Sequence, residues 1–490
     1  MRTQLLGGLT LLLAGLALPC VPGAARAQSG PAPAPGAYPQ ATGQGNPAVP
    51  AGYLGRGGNG YGYNPYYYNT NAPASAGGYP QGSSGFAVQL EGPAVFQPVL
   101  PVIPVTPDEL PGDDTHGDKA HAPAPAAKDC FWVFGGYDMA WIRPWHLTTP
   151  LVTQGSATDT HPGALGEPGT TILFPDHADF GRFNGIRLGI GFYLDSADHW
   201  SLEWDGNYMI PNHVKLGVSS DATGNPIIAR PIFNVIDGLD RAFVDSAPGA
   251  AAGSAFVDAF SEFLGSEFNL AYHCCPSDHL RLGALAGFRF LRLHEDLTIR
   301  DSLTPLVPGV FTFLGNPVAA GDTLTDVDSF RTVNRFYGFQ LGGNAAWEGK
   351  RFFVNAYGKA AIGVTDEEVH IHGATALLTA GGPFVAGGGI LALPSNIGLY
   401  ARPVLGFVPE GGLTVGVKVT PHLNLTVGYS FLFWNSVVRP GNQIDRAVNP
   451  TLVPSDTSFG TLAGTPHPAF HFTDENFWVQ TLTFGVDLHF

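Results

Sequence analysis

This sequence has little charge and lacks any hydrophobic run suited to a membrane-spanning helix. Charged residues make up 13% of its 490 residues, and 24 Lys and Arg are outnumbered by 40 Asp and Glu. Without a basic run that could neutralise phosphates, nucleic acid is not an expected partner. The longest uncharged stretch, residues 373–401, contains Pro383, Pro394 and many glycines and would make a weak helix. The slightly positive mean hydropathy, +0.08, therefore calls for another explanation.

Cysteine is also scarce, with 4 in the whole chain. Cys130, Cys274 and Cys275 remain after the leader described below, too few for a disulfide scaffold. A single bridge from Cys130 to one of the vicinal pair would leave an odd thiol. We assign these residues no function.

The N-terminus has the features of a secretory signal peptide. The apolar run LLGGLTLLLAGLAL is followed by VPGAARAQ, where Ala25 and Ala27 fit a cleavage site. Cys20 is a poor match to a lipoprotein signal because Pro19 precedes it. We therefore expect export through a signal peptide at residues 1–27.

Residues 28–128 are rich in Pro, Gly, Ala, Ser and Tyr and show no sustained apolar period. Such a segment cannot bury enough surface to offset its ordering entropy, which predicts a disordered periplasmic tether. The alternative is a sticky aromatic tract that touches cell-wall polymer or a partner.

From residue 129 to 490 the texture changes to long segments that alternate apolar and polar residues. Short connections such as DSAD, CCPSD, EGK and TPH alternate with long Gly, Pro and Asp-rich loops. This layout predicts an all-β fold: a closed antiparallel up-and-down transmembrane β-barrel of about ten strands, with twelve as the alternative count. The ten segments are 130–143, 182–194, 199–213, 256–273, 279–299, 327–347, 351–369, 402–419, 423–437 and 477–490.

The two faces of these segments differ in a way that favours lipid. In the third segment Trp200, Leu202 and Trp204 alternate with Ser201 and Glu203. All eight tryptophans fall within or beside the segments, as aromatic girdles at the membrane surfaces would require. Outer-membrane lipid is therefore an expected partner, and the sequence leaves a homo-oligomer open.

The chain ends on the alternating stretch FWVQTLTFGVDLHF. Its outward residues Phe484, Val486, Leu488 and Phe490 resemble the C-terminal signature that outer-membrane proteins present to the barrel-insertion machinery. We expect Phe490 to serve both as a belt residue and as an insertion signal.

The inward faces predict a narrow, polar lumen, since about eight strands fill their interior with side chains and a broad channel needs about sixteen. The turn EGKR is predicted as a type II′ hairpin on Gly349 and Lys350, and Arg187 is expected near Asp205. Residues 373–401 are apolar enough to fold inward or to pack on a neighbour. The residues predicted to line the lumen are Arg187, Glu203, Asp205, Arg281, Arg289, Lys359, Lys418 and Asp487.

No catalytic, cofactor or metal site is assigned. His199, His279 and His422 follow three separate short turns, where polar turn residues are expected rather than metal ligands. Acidic and imidazole groups that could activate water lie at the predicted outer ends of two strands. They are His294, Glu295 and Asp296 in one segment, and Asp366, Glu367, Glu368, His370 and His372 in another. Neither GxSxG nor HExxH accompanies them, so a rim-sited hydrolase ranks third.

Several stretches resemble the beta-barrel porin family numbered seven, a group of bacterial outer-membrane proteins. They include LGSEFNL (264–270), LRLGALAGFRFLRLHEDLTI (280–299), FRTVNRFYGFQLGG (330–343) and VRPGNQID (438–445). The resemblance covers Cys130 to Phe490 and implies an outer-membrane barrel, with no catalytic residues. Our leading hypothesis is a porin-like barrel that passes small polar solutes or ions. The alternative is a closed structural or surface-display barrel whose long external loops bind partners.

Overall fold

The computed structural model describes residues 131–490 apart from 196, 197, 278 and 462, and of residues 275 and 276 it describes only the backbone. The predicted signal peptide, the predicted tether and Cys130 lie outside the described residues. The tether–barrel boundary at residue 129 therefore stays a prediction.

Ten long strands form one closed antiparallel barrel. They are β1 (Phe131–Ile142), β2 (Phe183–Tyr193), β3 (Trp200–Ser219), β4 (Ala251–Ser277), β5 (Leu280–Pro305), β6 (Thr323–Glu348), β7 (Phe352–Thr379), β8 (Gly398–Thr420), β9 (Leu423–Val438) and β10 (Asp474–His489). Each strand pairs with the next along the chain, and β1 pairs with β10 to close the cylinder. The prediction of an up-and-down barrel is confirmed with ten strands.

The barrel closes where the chain ends. Along the β1–β10 ladder Tyr137 lies opposite Phe484. Beyond it the Phe131 amide donates to the Phe490 carbonyl at 3.2 Å, and the Phe490 amide donates back at 2.9 Å. The two rings stack with their centroids 4.9 Å apart. Closure matters because an unpaired peptide group in hydrocarbon costs several kcal/mol.

The outer face of the barrel carries an exposed apolar belt. Leu188, Phe268, Phe339 and Leu341 are among its most exposed members. Towards the long loops the belt gives way to outward-facing ion pairs such as Arg331 with Asp296, 3.0 Å apart. The change from apolar to charged side chains marks where the wall leaves hydrocarbon.

The tryptophan prediction holds only in part. Trp141, Trp200 and Trp347 are exposed on the outer face, as a girdle requires. Trp145 and Trp434 are instead fully buried inside the molecule, and Trp132 lines an internal cavity. The prediction that all eight form girdles was wrong because a buried aromatic core follows the same period of two.

Strands β4–β7 are longer than predicted, at 26 to 28 residues. Their outer faces become charged beyond the belt. The outward apolar alternation that predicted these strands therefore stops before the strands end. Their inner faces continue with side chains that the loops bury completely, such as Val257, Leu297, Phe330 and Ile371. The barrel wall therefore extends past the membrane to enclose the loops.

The predicted register of the EGKR turn was wrong by two residues. The Gly349 amide donates to the Phe352 carbonyl at 2.8 Å, so Lys350 and Arg351 form the turn. Asn344 lies opposite Tyr357, whereas a two-residue turn on Gly349 and Lys350 would place it opposite Asn355. A slip of two residues keeps every side chain on its predicted face because the side-chain period is two.

The five long loops gather at one end of the barrel, opposite the short turns. In them Ile227–Asn234 pairs with Leu239–Ser246, Val152–Gly155 and Ala447–Val448, and Thr171–Phe174 pairs with Val152–Gly155. Gly382–Gly387 folds back on β7. The remaining elements are the paired Trp145–His146 and His177–Ala178, the paired Thr312–Phe313 and Asn316–Pro317, and the 3-10 helices Pro440–Gln443 and Pro450–Leu452. Among the described residues, no helix has the length and apolar character needed to cross a membrane.

Candidate functional site: the lumen and its loop plug

A cavity of about 340 Å³ occupies the short-turn half of the barrel, and we call it the vestibule. Five of the eight residues predicted for the lumen line it: Arg187, Glu203, Asp205, Lys359 and Asp487. The expected proximity of Arg187 and Asp205 is observed, with a nitrogen–oxygen distance of 3.0 Å. The vestibule is thus walled by charged groups that are already paired.

The other three predicted residues lie above and below this cavity. Arg281 and Lys418 sit near the short turns, where both approach Glu348, at 3.8 Å and 2.8 Å. Arg289 lies deeper and is almost completely buried. The eight side chains therefore span the short-turn half of the inner wall but do not form a single cluster.

A charged network crosses the lumen at the inner end of the vestibule. Arg289 on β5 contacts Glu267 on β4 and Glu410 on β8, each at 2.5 Å. Lys359 on β7 contacts the same Glu267 at 2.7 Å, and the Tyr357 hydroxyl donates to Glu410 at 2.7 Å. Removing one member of such a buried set leaves its partner uncompensated, at a cost of about 3–5 kcal/mol.

Sequence reasoning missed Glu267, Glu410 and Tyr357. All three occupy inward positions in the strand alternation, so their parity was a usable signal. The contact of Glu410 with Arg289 could not be predicted in this way, because β8 and β5 meet only across the lumen.

An apolar layer of aromatic rings lies beyond the charged network. Phe263 and Phe477 stack with centroids 5.9 Å apart, and Trp434 packs edge-on against Phe477 at 6.4 Å and against Phe336 at 6.1 Å. All four are buried, and the Trp434 indole N–H donates to the Thr365 hydroxyl at 3.0 Å. These four rings lie in the protein interior, with at most 2% of any of them exposed.

Above this layer the long loops fill the barrel. Within residues 373–401, the segment 373–379 continues β7 and Gly382–Gly387 pairs back on it, while 398–401 begins β8. Residues 388–397, between them, turn inward. Ile390 to Leu393 are buried there, and the Asp328 carboxylate accepts hydrogen bonds from the amides of Ile390, Leu391 and Ala392 at 2.8 to 3.1 Å. Of the two predicted arrangements, folding inward is the one observed.

A second anchor joins two other loops to the wall. Arg439, from the VRPGNQID stretch, pairs with Glu295 on β5 at 2.7 Å, and both are fully buried. The Trp145 indole and the Ser261 hydroxyl donate to the same carboxylate, each at 2.9 Å. Asn334 exchanges two 2.8 Å hydrogen bonds with the Val438 backbone just before Arg439. The two distinctive stretches, FRTVNRFYGFQLGG and VRPGNQID, therefore meet in the plug, by which we mean the part of the long loops that is buried inside the barrel.

The acidic and imidazole groups predicted at the outer strand ends do not lie there. Glu295 and Glu367 lie mid-strand and face inward, and Glu367 contacts Arg402 at 2.7 Å. His294 and Asp296 face outward into surface ion pairs. In the part of the chain that the structure describes, no group of three His, Cys, Asp or Glu residues is placed to hold a metal ion. The strands continue past these residues, so the residues do not lie at the outer rim of the barrel as predicted.

The turn histidines contact backbone. His279 lies 3.0 Å from the Glu348 carbonyl and His422 lies 3.1 Å from the His489 carbonyl. His199 pairs with Asp195 at its own turn. Cys274 is an exposed free thiol, while Cys130 and the Cys275 side chain lie outside the described residues.

A cluster of four buried aspartates surrounds Arg230 in the strand extensions beyond the apolar belt. Arg230 contacts Asp301 and Asp328, each at 2.8 Å. Burial raises the pKa of Asp301 to about 6 and that of Asp326 to about 7, and it holds the pKa of Asp245 well above its ordinary value. Asp326 also accepts a hydrogen bond from Thr375 on β7. The cluster ties loop strands to the wall through groups that favour protonation.

Comparison with known proteins places the chain in a family. The family model described as Putative beta barrel porin-7 matches residues 134–490. No curated protein matches the chain.

Solved structures with detectable likeness are distant. The outer membrane protease OmpT from Escherichia coli is 11% identical with a TM-score of 0.32, covering 73% of this chain and 97% of that one. A Pseudomonas aeruginosa FadL homologue is 9% identical with a TM-score of 0.20, covering 74% and 90%. The Pseudomonas putida toluene transporter TodX is 10% identical with a TM-score of 0.19, covering 74% and 90%. TM-scores this low carry no argument about this chain.

The matched residues include nearly all of β1 and the whole of β2 to β10. The match therefore rests on the barrel itself rather than on one motif. The chain belongs to the Putative beta barrel porin-7 family and is an outer-membrane β-barrel protein.

Proposed function

We propose that this protein acts as a closed outer-membrane barrel whose external loops form a folded surface for partners, rather than as an open diffusion pore. The observation that carries the proposal is the apolar layer of Phe263, Phe336, Trp434 and Phe477. It lies between the charged network and the inserted loops. A layer of buried aromatic rings offers ions and polar solutes no polar contacts, so we expect it to act as a hydrophobic barrier.

The order of the loops supports a binding role. The loop strands pair with one another, and buried contacts from Asp328 and Arg439 hold the loops to the wall. A surface that is already ordered loses little conformational entropy when a partner binds. Exposed apolar side chains such as Phe384 and Val385 offer contact area on this end.

Export and insertion complete the proposal. The signal peptide predicted at residues 1–27 would direct export, and the last strand would be recognised by the insertion machinery. Supporting this, Phe484, Val486 and Phe490 are exposed on the outer face of β10 and just beyond it. A final strand that presents these residues outward is accessible to an insertion factor before the barrel closes.

Planar-bilayer recording tests the closed state. The mature chain is refolded in detergent, its folding is verified by the heat-dependent shift of the barrel on gels, and it is added to a lipid bilayer. We expect a folded but electrically silent protein. Discrete conductance steps from the unmodified chain would overturn the proposal.

A matched variant guards against a failed insertion. Trp434→Ala with Phe477→Ala removes two rings of the layer and is expected to introduce conductance. A variant with Trp347→Ala, which loses a ring from the outer face, is expected to stay silent. If the double variant inserts, folds and remains silent, the apolar layer is not the barrier.

The second candidate is passage of small polar solutes or ions through the narrow charged lumen. It is favoured by the vestibule of about 340 Å³ with Arg187, Asp205 and Lys359 on its wall. Passage would require the apolar layer to part. If steps are recorded, charge reversal at Lys359 or Arg289 should change the ion preference. Unchanged selectivity would count against a conducting role for these residues.

A further inference from the structure

Four aromatic rings of the inner wall lie flat against glycines of the neighbouring strands. A Cβ built on any of these glycines would fall between 2.1 and 2.5 Å from a ring atom, so the rings occupy the space that a side chain would take. The pairs are Trp132 with Gly191, Phe134 with Gly485, Phe353 with Gly416, and Tyr357 with Gly412. The other faces of Trp132, Phe134 and Phe353 are directed to the lumen, whereas the Lys359 ammonium lies over the Tyr357 ring, 4.8 Å from its centroid.

All four rings line the vestibule. Trp132 and Phe134 belong to β1, whereas Phe353 and Tyr357 belong to β7. Three strands separate β1 from β7 in one direction around the barrel and five in the other, which puts the two pairs on nearly opposite walls. The vestibule therefore has aromatic faces on two sides, and its volume of about 340 Å³ falls within the usual range for ligand pockets of about 300–1,000 Å³.

Neutral hydrogen-bonding groups lie between these faces, beside the charged residues Arg187, Glu203, Asp205, Glu267, Lys359 and Asp487. Asn269, Asn344 and Asn355 line the cavity, as do several hydroxyl groups. Arg187 and Lys359 are paired with carboxylates, as described above. A ligand would therefore meet aromatic faces and hydrogen-bonding amides, together with charged groups that already contact partners, such as Glu203 with His273 at 3.6 Å and Asp487 with His489 at 2.9 Å.

We propose that the vestibule binds a neutral, ring-shaped polar solute of the pyranose sugar class from the short-turn side. A pyranose has apolar C–H faces that can stack on aromatic rings and a rim of hydroxyl groups that can bond to amides and hydroxyls. An anionic solute would gain a positive partner only by breaking the Arg187–Asp205 or the Lys359–Glu267 pair. Binding in the vestibule does not require passage, so the inference stands apart from the proposed closed state.

Calorimetric titration of the refolded full mature chain with glucose and maltose tests the inference. We expect saturable binding of at least one sugar. Trp132→Ala and Phe353→Ala each remove a stacking face and should weaken binding about tenfold. Trp141→Ala, which changes an outward ring of the same β1 strand, is the matched control and should bind as the unmodified chain does.

The outcomes separate cleanly once each variant is shown to fold. No binding of either sugar overturns the inference, as does an equal loss in Trp141→Ala. Tighter binding of aspartate or lysine than of the sugars overturns the proposed ligand class. A second measurement covers a variant that fails to fold: saturable binding to the unmodified chain should alter the fluorescence of Trp132, seen as a change that disappears in Trp132→Phe. If that change persists in Trp132→Phe, the sugar binds elsewhere.

Discussion

Arg439 and Glu295 form an ion pair of 2.7 Å in which neither side chain has measurable exposure to solvent. The Arg439 guanidinium also donates hydrogen bonds to the backbone carbonyls of residues 143 and 144, at the start of the first long loop. One pair of charges thus connects β5, the first loop and the fifth loop. It shows that the plug is held by specific polar contacts as well as by apolar packing.

Breaking this pair should destabilise the loop end. Glu295→Gln leaves the buried Arg439 charge with only the longer contact to Glu475, at 3.4 Å. We expect a loss of about 3–5 kcal/mol in the free energy of unfolding, measured with urea in lipid vesicles. The matched control is Glu368→Gln, which breaks a partly exposed pair with Arg335 at 3.0 Å. Such pairs contribute about 0–1 kcal/mol, so equal effects of the two variants would contradict the prediction.

The buried aspartates should make the loop end sensitive to pH. Because burial raises the pKa of Asp301 to about 6 and that of Asp326 to about 7, the folded loops retain protons that unfolded loops release near the ordinary value of 3.8. Their contribution to stability is therefore fully present below about pH 4 and is lost as the pH rises through about 6 to 7. Each proton concerned changes the free energy by about 1.4 kcal/mol per pH unit.

Hydrogen exchange of residues 386–397 between pH 5 and pH 8 measures this, after correction for the intrinsic rate. We expect protection to fall as the pH rises, and Asp326→Asn to flatten the profile. Asp221→Asn serves as the control because Asp221 is an exposed loop carboxylate whose pKa is lowered by bonds from Thr223 and Asn225. Protection that rises with pH would reverse the sign and defeat the prediction.

An arginine in the apolar belt should be costly in lipid. Leu341→Arg puts a charge where 58% of the leucine is exposed on the outer face of β6. We expect a loss of about 2–4 kcal/mol for unfolding from vesicles. Leu239→Arg, at a loop residue with 49% exposure, should be nearly neutral. If both variants are neutral, this face of β6 does not contact hydrocarbon.

The last residue should matter more for insertion than for folding. Phe490→Ala removes the ring that stacks on Phe131 but keeps the backbone bonds that close the barrel. We expect less barrel in the outer membrane of cells and nearly normal refolding in detergent. Thr481→Ala, on the inner face of β10, should insert normally. Equal losses in cells and in detergent would indicate a structural role for Phe490.

The sequence predicted the barrel well and its contents poorly. Alternation placed Leu188, Phe484 and Val486 outside, and Arg187 and Asp205 inside and in contact. It failed for Trp434, which follows the same alternation but packs within the plug. It also predicted ends for β5 and β7 that come too early. Beyond the belt the wall is charged outside and apolar inside, so outward apolar residues no longer indicate a strand there.

What the sequence determined by itself is the strand count, the facing of each strand and the division into short turns and long loops. These depend on neighbouring residues and on the bilayer, which imposes a period of two on every strand that crosses it. Only the tertiary structure decided which side chains and loop segments fill the lumen. Arg439 meets Glu295, and Arg289 meets Glu410, across more than a hundred residues of chain. Local alternation cannot encode such contacts, because they exist only after the barrel has closed and the loops have folded into it.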